Sequence, residues 1–387
     1  MRQSLSRALV LARGLRIDLR LTAACVALAC LAACSTGSSP PKPAELGPLV
    51  PLINVKQVWA ARVGPIEFPL TLSISGNNLL AAASDGVVVA LDGSSGRELW
   101  RASVGASLAA GVGGDARLAA VVTQGNELIA LAEGREIWRQ KLAAQAYTAP
   151  FVAGGRVFVL TADRAVHAFD GAVGRKLWTQ QRPGEPLVLR QAGVLMAVGD
   201  TLVAGLAGRL TGLNPLNGSA RWELPIATPR GVNDIERLVD LVGPVSRLDG
   251  TVCVRAFQTS VGCVNAERGV LQWTKPADGS VGLDSDRLLV FGVESDGKVI
   301  AWRRADGDRA WTTDVLRYRG LTAPRVVGRS IAVGDASGLV HLISRQDGSV
   351  LNRLTTDGSA IAAAPALVGD TLVVVTRSGA IFGFLPQ

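Results

Sequence analysis

Side chains able to do chemistry are sparse in this chain. Of its 387 residues two are histidines, His167 and His341, and five are cysteines. The histidines occupy equivalent places in a repeated pattern where other copies carry Val89, Ile129 and Ile300, so they read as repeat-position side chains and not as an acid–base pair. Asp92, Asp170, Asn214 and Asn265 share one recurring turn position, where a short side-chain oxygen bonds the neighbouring backbone. No phosphate-binding loop, nucleophile motif or cluster with metal-ligand spacing occurs, and neither a metal nor a cofactor is expected. Cys253 and Cys263 stand at near-equal distances either side of Gln258-Thr259. That spacing suits a cross-strand disulfide or two small buried hydrophobes.

The elements that must carry these residues announce themselves by repetition. In Ala90-Leu91-Asp92-Gly93-Ser94-Ser95-Gly96-Arg97-Glu98-Leu99-Trp100 an apolar strand ends in a polar side chain, a turn closes on glycine, and a tryptophan follows four residues later. The glycine-to-tryptophan step recurs at Gly134/Trp138, Gly174/Trp178, Gly218/Trp222, Gly269/Trp273 and Gly307/Trp311, and Gly348 is followed at that offset by Asn352. A second ruler agrees. Gly86, Gly208, Gly297 and Gly338 each stand fourteen residues before the Trp or Asn mark, and Gly125 thirteen before its own. Short strands at period two between such turns predict one four-stranded unit repeated. An eighth unit begins at Ala364-Pro365 and stops at Gln387 without a last strand, while Gln57-Val58-Trp59 is a tryptophan strand without its first three. The two fragments complete each other in a ring. The expected fold is therefore all-β: an eight-bladed β-propeller over residues 52–387, closed by the strand around Trp59. Trp59, Trp100, Trp138, Trp178, Trp222, Trp273 and Trp311 are expected to dock between blades, since fixed spacing puts them at equivalent positions.

Residues 1–33 read as a secretory leader. Its arginines precede an apolar run from Leu21 to Ala33 that is too short to span a bilayer as a helix. The run ends in Leu31-Ala32-Ala33-Cys34, which resembles the lipobox of bacterial lipoproteins, and implies a diacylglycerol on Cys34 and anchorage of the protein to a membrane. In such lipoproteins an aspartate after the cysteine retains the protein at the inner membrane. Here Ser35 follows, implying the periplasmic face of the outer membrane. Residues 34–51, rich in Ser and Pro, are expected to form a flexible tether. The formal charge of +8 falls to +4 without the leader, and no dense basic run points to nucleic acid.

The stretch from Ala90 to Trp100, and more loosely Ala168-Phe169-Asp170 to Trp178, resembles the tryptophan-docking repeat of quinoprotein dehydrogenases. With the lipobox, the length and the ring closure, the whole chain is similar to the BamB family, lipoproteins of the outer-membrane β-barrel assembly machinery (BAM complex). Two connections break the rhythm, Arg182 to Val194 and Glu223 to Gly243, on adjacent blades and one face. Enlarged neighbouring loops with apolar anchors and a charged rim suit a protein partner. In the family these loops contact the periplasmic POTRA domains of BamA. The resemblance carries that role to Leu187, Leu189 and Arg190 in the first loop and to Asp240 in the second, where Arg237 also lies. At Val242 the family has a second aspartate. The implied function is a non-enzymatic scaffold that assists insertion of outer-membrane proteins, compatible with direct binding of their unfolded chains. The alternative is a quinoprotein-type (PQQ-binding) dehydrogenase or accessory subunit. Those enzymes hold their cofactor with an adjacent Cys-Cys disulfide, which this sequence lacks.

Overall fold

The computed structural model describes residues 41–182, 187–229, 232–233 and 237–386, so the leader and Cys34 lie outside the described residues. The repeat read from sequence is a four-stranded antiparallel sheet. Seven of these blades are continuous in the chain, at residues 73–103, 108–141, 151–181, 195–225, 241–276, 283–313 and 325–355; the eighth joins residues 366–386 to Val55–Arg62. Blades are numbered 1 to 8 in that order and their strands a to d in order across each sheet. The a strands of neighbouring blades touch and so surround the axis, and the d strands form the rim of this eight-bladed β-propeller.

Strand composition follows position. In blade 1, Asn78–Ala82 and Val87–Asp92, the b and c strands, are almost wholly buried and run as unbroken Val, Leu and Ala. Both faces of a blade are covered by its neighbours, so period-two alternation gives way to continuous apolar runs. Strand d, Glu98–Ser103, is largely exposed, with half-buried Trp100 and Ala102 turned toward the next blade.

The tryptophans join one blade to the next. A side chain on Gly174 would collide with the Trp138 ring at 2.6 Å, one on Gly218 with Trp178 at 2.6 Å, and one on Gly307 with Trp273 at 2.4 Å. The motif glycine therefore receives the ring of the preceding blade, not the tryptophan four residues after it. A β-bulge beside each of these tryptophans aims the ring. In blade 1 Ala90 pairs with Trp100 but Leu91 pairs with Glu98, so Leu99 is the extra residue. Trp59, Trp138, Trp178, Trp273 and Trp311 also donate their indole N–H to a carbonyl of the next blade's c–d turn, at Gly93, Gly171, Pro215, Arg304 and Arg345. Each docked ring hides on the order of 150 Å² of apolar surface, on the order of 4 kcal/mol of favourable transfer.

Ring closure explains the one mark without tryptophan. Val55–Arg62 pairs with Ala380–Pro386 as strand d of blade 8, and Trp59 docks on Gly96 of blade 1. Strands c and d of blade 8 are the two ends of the folded chain, so no glycine turn joins them to receive a ring from blade 7. Asn352 stands there instead, and its Nδ2 donates to the carbonyl of Ile53 at 2.8 Å, gripping the chain as it enters the closing strand.

The segment expected to be a free tether is shorter than the sequence suggested. The Ala44 amide donates to the Arg317 carbonyl at 2.9 Å, and Arg319 Nη1 donates to the Ala44 carbonyl at 2.9 Å. Leu46 packs against the cluster that includes Phe291, Leu316 and Trp311, and the Leu52 amide donates to the Leu351 carbonyl at 2.8 Å. Residues 44–53 are thus a strap across blades 6 and 7. It forms because an irregular segment can place its own amides and carbonyls on groups the blades leave unpaired.

Cys253 and Cys263 lie directly opposite one another on strands b and c of blade 5, fully buried beneath Trp273, with Cα atoms 4.0 Å apart and the sulfurs joined as a disulfide. The second ruler needs one correction: in blade 2 the residue of left-handed backbone is Asn126 (φ 59°), not Gly125, because that blade's c–d turn is two residues shorter, Ala130 pairing with Trp138 where blade 1 pairs Ala90 with Trp100.

Candidate interface on the loop face of blades 3 to 5

Because strands a to d alternate in direction, the b–c hairpins and the d–a connections emerge on one face. The two long connections, 182–194 from blade 3 to blade 4 and 226–240 from blade 4 to blade 5, therefore stand side by side. Their roots are pinned. The Gly193 amide donates to Thr148 Oγ1 at 2.9 Å and the Gly243 amide to the Ala192 carbonyl at 2.8 Å, while Glu223 pairs with both Arg182 and Arg209.

Where the two loops meet, the b–c hairpin of blade 3 delivers Arg164. Its backbone is left-handed (φ 60°), at the position other hairpins give to Gly86, Gly297 and Gly338. That conformation costs a residue with a side chain roughly 1 kcal/mol. Its guanidinium donates through Nη1 to Asp240 Oδ1 at 3.3 Å and through Nη2 to the Leu187 carbonyl at 3.2 Å, and the other oxygen of Asp240 accepts the Leu189 amide at 2.9 Å. The Asp240 carbonyl accepts the Phe257 amide, which ties this point to blade 5.

The structure brings Leu187, Leu189, Arg190 and Asp240 together, in unequal roles. The Leu187 side chain is exposed, and Arg190, also exposed, lies over the Tyr147 ring with its guanidinium carbon 5.7 Å from the centroid. Leu189, to which the resemblance gave a partner-contact role, is half-buried and lines with Tyr147, Leu160 and Leu206 a cavity of about 60 Å³ beneath the loop. That volume suits one or two waters and falls far below the roughly 300 Å³ of a cofactor pocket. Both oxygens of the Asp240 carboxylate, expected to face a partner, are instead engaged within the chain. Arg237 is exposed, its amide bonded to the Asn233 carbonyl at 3.1 Å; residues 234–236 lie outside the described residues. Val242 is buried, opposite Arg255 on the next strand. Arg255 is fully buried, pairs with Glu294 at 3.0 Å and lies over Trp302. Burial pushes its pKa down and Glu294 opposes that shift.

Arg164 and Tyr147 were not singled out from the sequence. The signal for Arg164 existed: it stands fourteen residues before Trp178, at the hairpin glycine position and next to the first long loop. Nothing comparable marks Tyr147.

The other chemistry-bearing residues do structural work. Asp92 Oδ1 accepts the amides of Ser94 and Ser95, and hydroxyl bonds from those serines hold its pKa at about 2. Asp170, Asn214 and Asn265 accept local amides at the same turn position. His167 and His341 sit in blades 3 and 7, on opposite sides of the ring, each buried and bonded within its own blade. Among the described residues no group of three or more His, Cys, Asp and Glu is placed to hold a metal ion.

Comparison with known proteins bears on the fold and the family. The family model described as outer membrane protein assembly factor BamB matches residues 84–313. Outer membrane protein assembly factor BamB of Burkholderia pseudomallei is 35% identical over 94% of this chain and 97% of its own length. The crystal structure of BamB from Moraxella catarrhalis superposes with a TM-score of 0.78 at 24% identity, covering 86% of this chain and all of that one. The quinohemoprotein alcohol dehydrogenase ADHIIG of Pseudomonas putida HK5 superposes with a TM-score of 0.66 at 13% identity over 86% of this chain and 76% of that one, a likeness of fold alone. An eight-bladed ring closed by its first strand, two enlarged loops on one face, and a relative matching nearly end to end lead to one assignment: the chain belongs to the BamB family of outer membrane protein assembly factors.

Proposed function

We propose that this protein is a non-enzymatic scaffold of outer-membrane protein assembly. In this reading it is lipid-anchored through Cys34 at the periplasmic face of the outer membrane and docks on the POTRA domains of BamA through its two long loops. The observation that carries the proposal is the exposed Leu187 beside the Arg190–Tyr147 pair, on a loop whose backbone is held at both Leu187 and Leu189. An apolar anchor ringed by a stacked arginine is the composition of an interface centre. Quinone chemistry is the weaker reading, because the aspartates and asparagines of the repeat are committed to turns and the histidines to separate blades.

The test is capture of BamA from detergent-solubilised outer membranes by the intact lipoprotein. Leu187→Ala combined with Arg190→Ala is expected to lower recovery at least about ten-fold, since central interface residues each contribute on the order of 1–2 kcal/mol. Wild-type recovery by the double variant would remove these loops as the docking site.

A further inference from the structure

We infer that Arg164 is the positioning residue of this interface, and that Asp240 acts through it and not by contact with the partner. The inference rests on the docking role proposed above and deepens it. Arg164 reaches both long loops at once: its fork holds the Leu187 carbonyl of the first and Asp240 of the second. Asp240 in turn holds the Leu189 amide, so the first loop is gripped on either side of Val188. Leu187 is thereby turned outward, and Arg190 is carried to Tyr147. The side chains that form this grip are largely hidden, at 8% exposure for Arg164 and 17% for Asp240. Each oxygen of the Asp240 carboxylate already accepts a donor from the chain and the group is mostly hidden, so its remaining lone pairs are poorly placed to meet a partner.

The position of Arg164 supports a dedicated role. Corresponding hairpins carry Gly86, Asn126, Gly208, Gly297, Gly338 and Gly379, all in left-handed backbone. Blade 3 alone among these places a charged side chain there, and it is the blade from which the first long loop departs. A residue kept in an unfavourable backbone conformation with its charge directed between two loops fits pre-organisation of those loops.

The native preference of the other hairpins supplies the variant. Arg164→Gly suits the left-handed turn, which offsets part of the cost of losing the Arg164–Asp240 pair, so the mature chain should stay folded with at most a modestly lowered melting temperature, while two measurements change. Hydrogen exchange at the Leu189 amide of the unbound protein should quicken about ten-fold or more as the loop opens. Affinity for the BamA POTRA domains should fall about ten-fold through lost pre-organisation. Arg164→Lys, a single ammonium without a planar fork, should fall between the two. Asp240→Asn should weaken binding in the wild-type background but add little to Arg164→Gly, because the two act as one unit. Unchanged Leu189 exchange in Arg164→Gly would overturn the clamp. Faster exchange with undiminished binding would overturn its positioning role, and so would additive effects of Arg164→Gly and Asp240→Asn. Failure of the wild-type chain itself to bind the POTRA domains would overturn the docking reading, with Leu189 exchange still deciding the clamp.

Discussion

His167 shows how a side chain that attracts a catalytic reading serves the fold. Both ring nitrogens lie beside hydroxyls, Nε2 at 3.1 Å from Thr161 Oγ1 and Nδ1 at 2.9 Å from Thr179 Oγ1, and the neutral ring satisfies both. Burial, with Lys176 nearby, lowers its pKa below the ordinary histidine value. The unfolded chain therefore takes up the proton first, and stability present above about pH 6.5 is lost as the pH falls toward the lowered folded value. Asp335 acts in the same direction at more acid pH. Burial raises its pKa, but hydrogen bonds from His341, the Leu339 amide, Arg319 and Ser337 outweigh that and leave it well below the carboxylate range, so its contribution disappears as the pH falls through that range. Melting temperatures between pH 7.5 and 5 should accordingly decline for the wild type and decline less for His167→Gln. An equal decline in both would show that His167 is not the group responsible.

At the scale of the element, the turn joining strands c and d is the unit on which the blades were recognised, and its two parts look to different blades. Its glycine receives the ring of the preceding blade, while its tryptophan reaches forward to the next. The close approach is uneven: a side-chain carbon on Gly174 would come within 2.6 Å of Trp138, but one on Gly134 only within 3.2 Å of Trp100. Both glycines have left-handed backbone (φ 70° and 77°). Gly134→Ala should therefore cost about 1 kcal/mol, mainly for backbone conformation, and Gly174→Ala about 3 kcal/mol, because the Trp138 ring must also move. Denaturant midpoints of the two variants measure the difference, and equal losses would show that contact with the ring does not set the cost. This position was legible in sequence because a repeat imposes one geometry many times. The direction of the contact was not, since spacing along a chain does not say which of two neighbouring sheets a side chain meets.

For the whole molecule, one strand determines whether the ring is closed. Val55–Arg62 supplies the outer edge of blade 8, and Trp59 is buried against Gly96 of blade 1 with its indole bonded to the Gly93 carbonyl at 3.2 Å. Trp59→Ala removes a contact that joins the chain's beginning both to its end and to its first complete blade. It should lower stability by about 3–5 kcal/mol and reduce the cooperativity of unfolding, visible as a broader calorimetric transition. A transition as sharp as the wild type's at an unchanged midpoint would count against closure through Trp59. The sequence by itself determined the blade count, the closing strand and the two enlarged loops, because tryptophan and glycine at fixed offsets report a local geometry that each repeat must satisfy. Only the tertiary structure decided what those features do together: that Asn352 replaces a tryptophan because blade 8 has no turn to receive it, that residues 44–53 lie on the blades, and that Asp240 faces Arg164. Each depends on groups brought together from distant parts of the chain, whose meeting is fixed by the curvature of the ring and not by any local pattern.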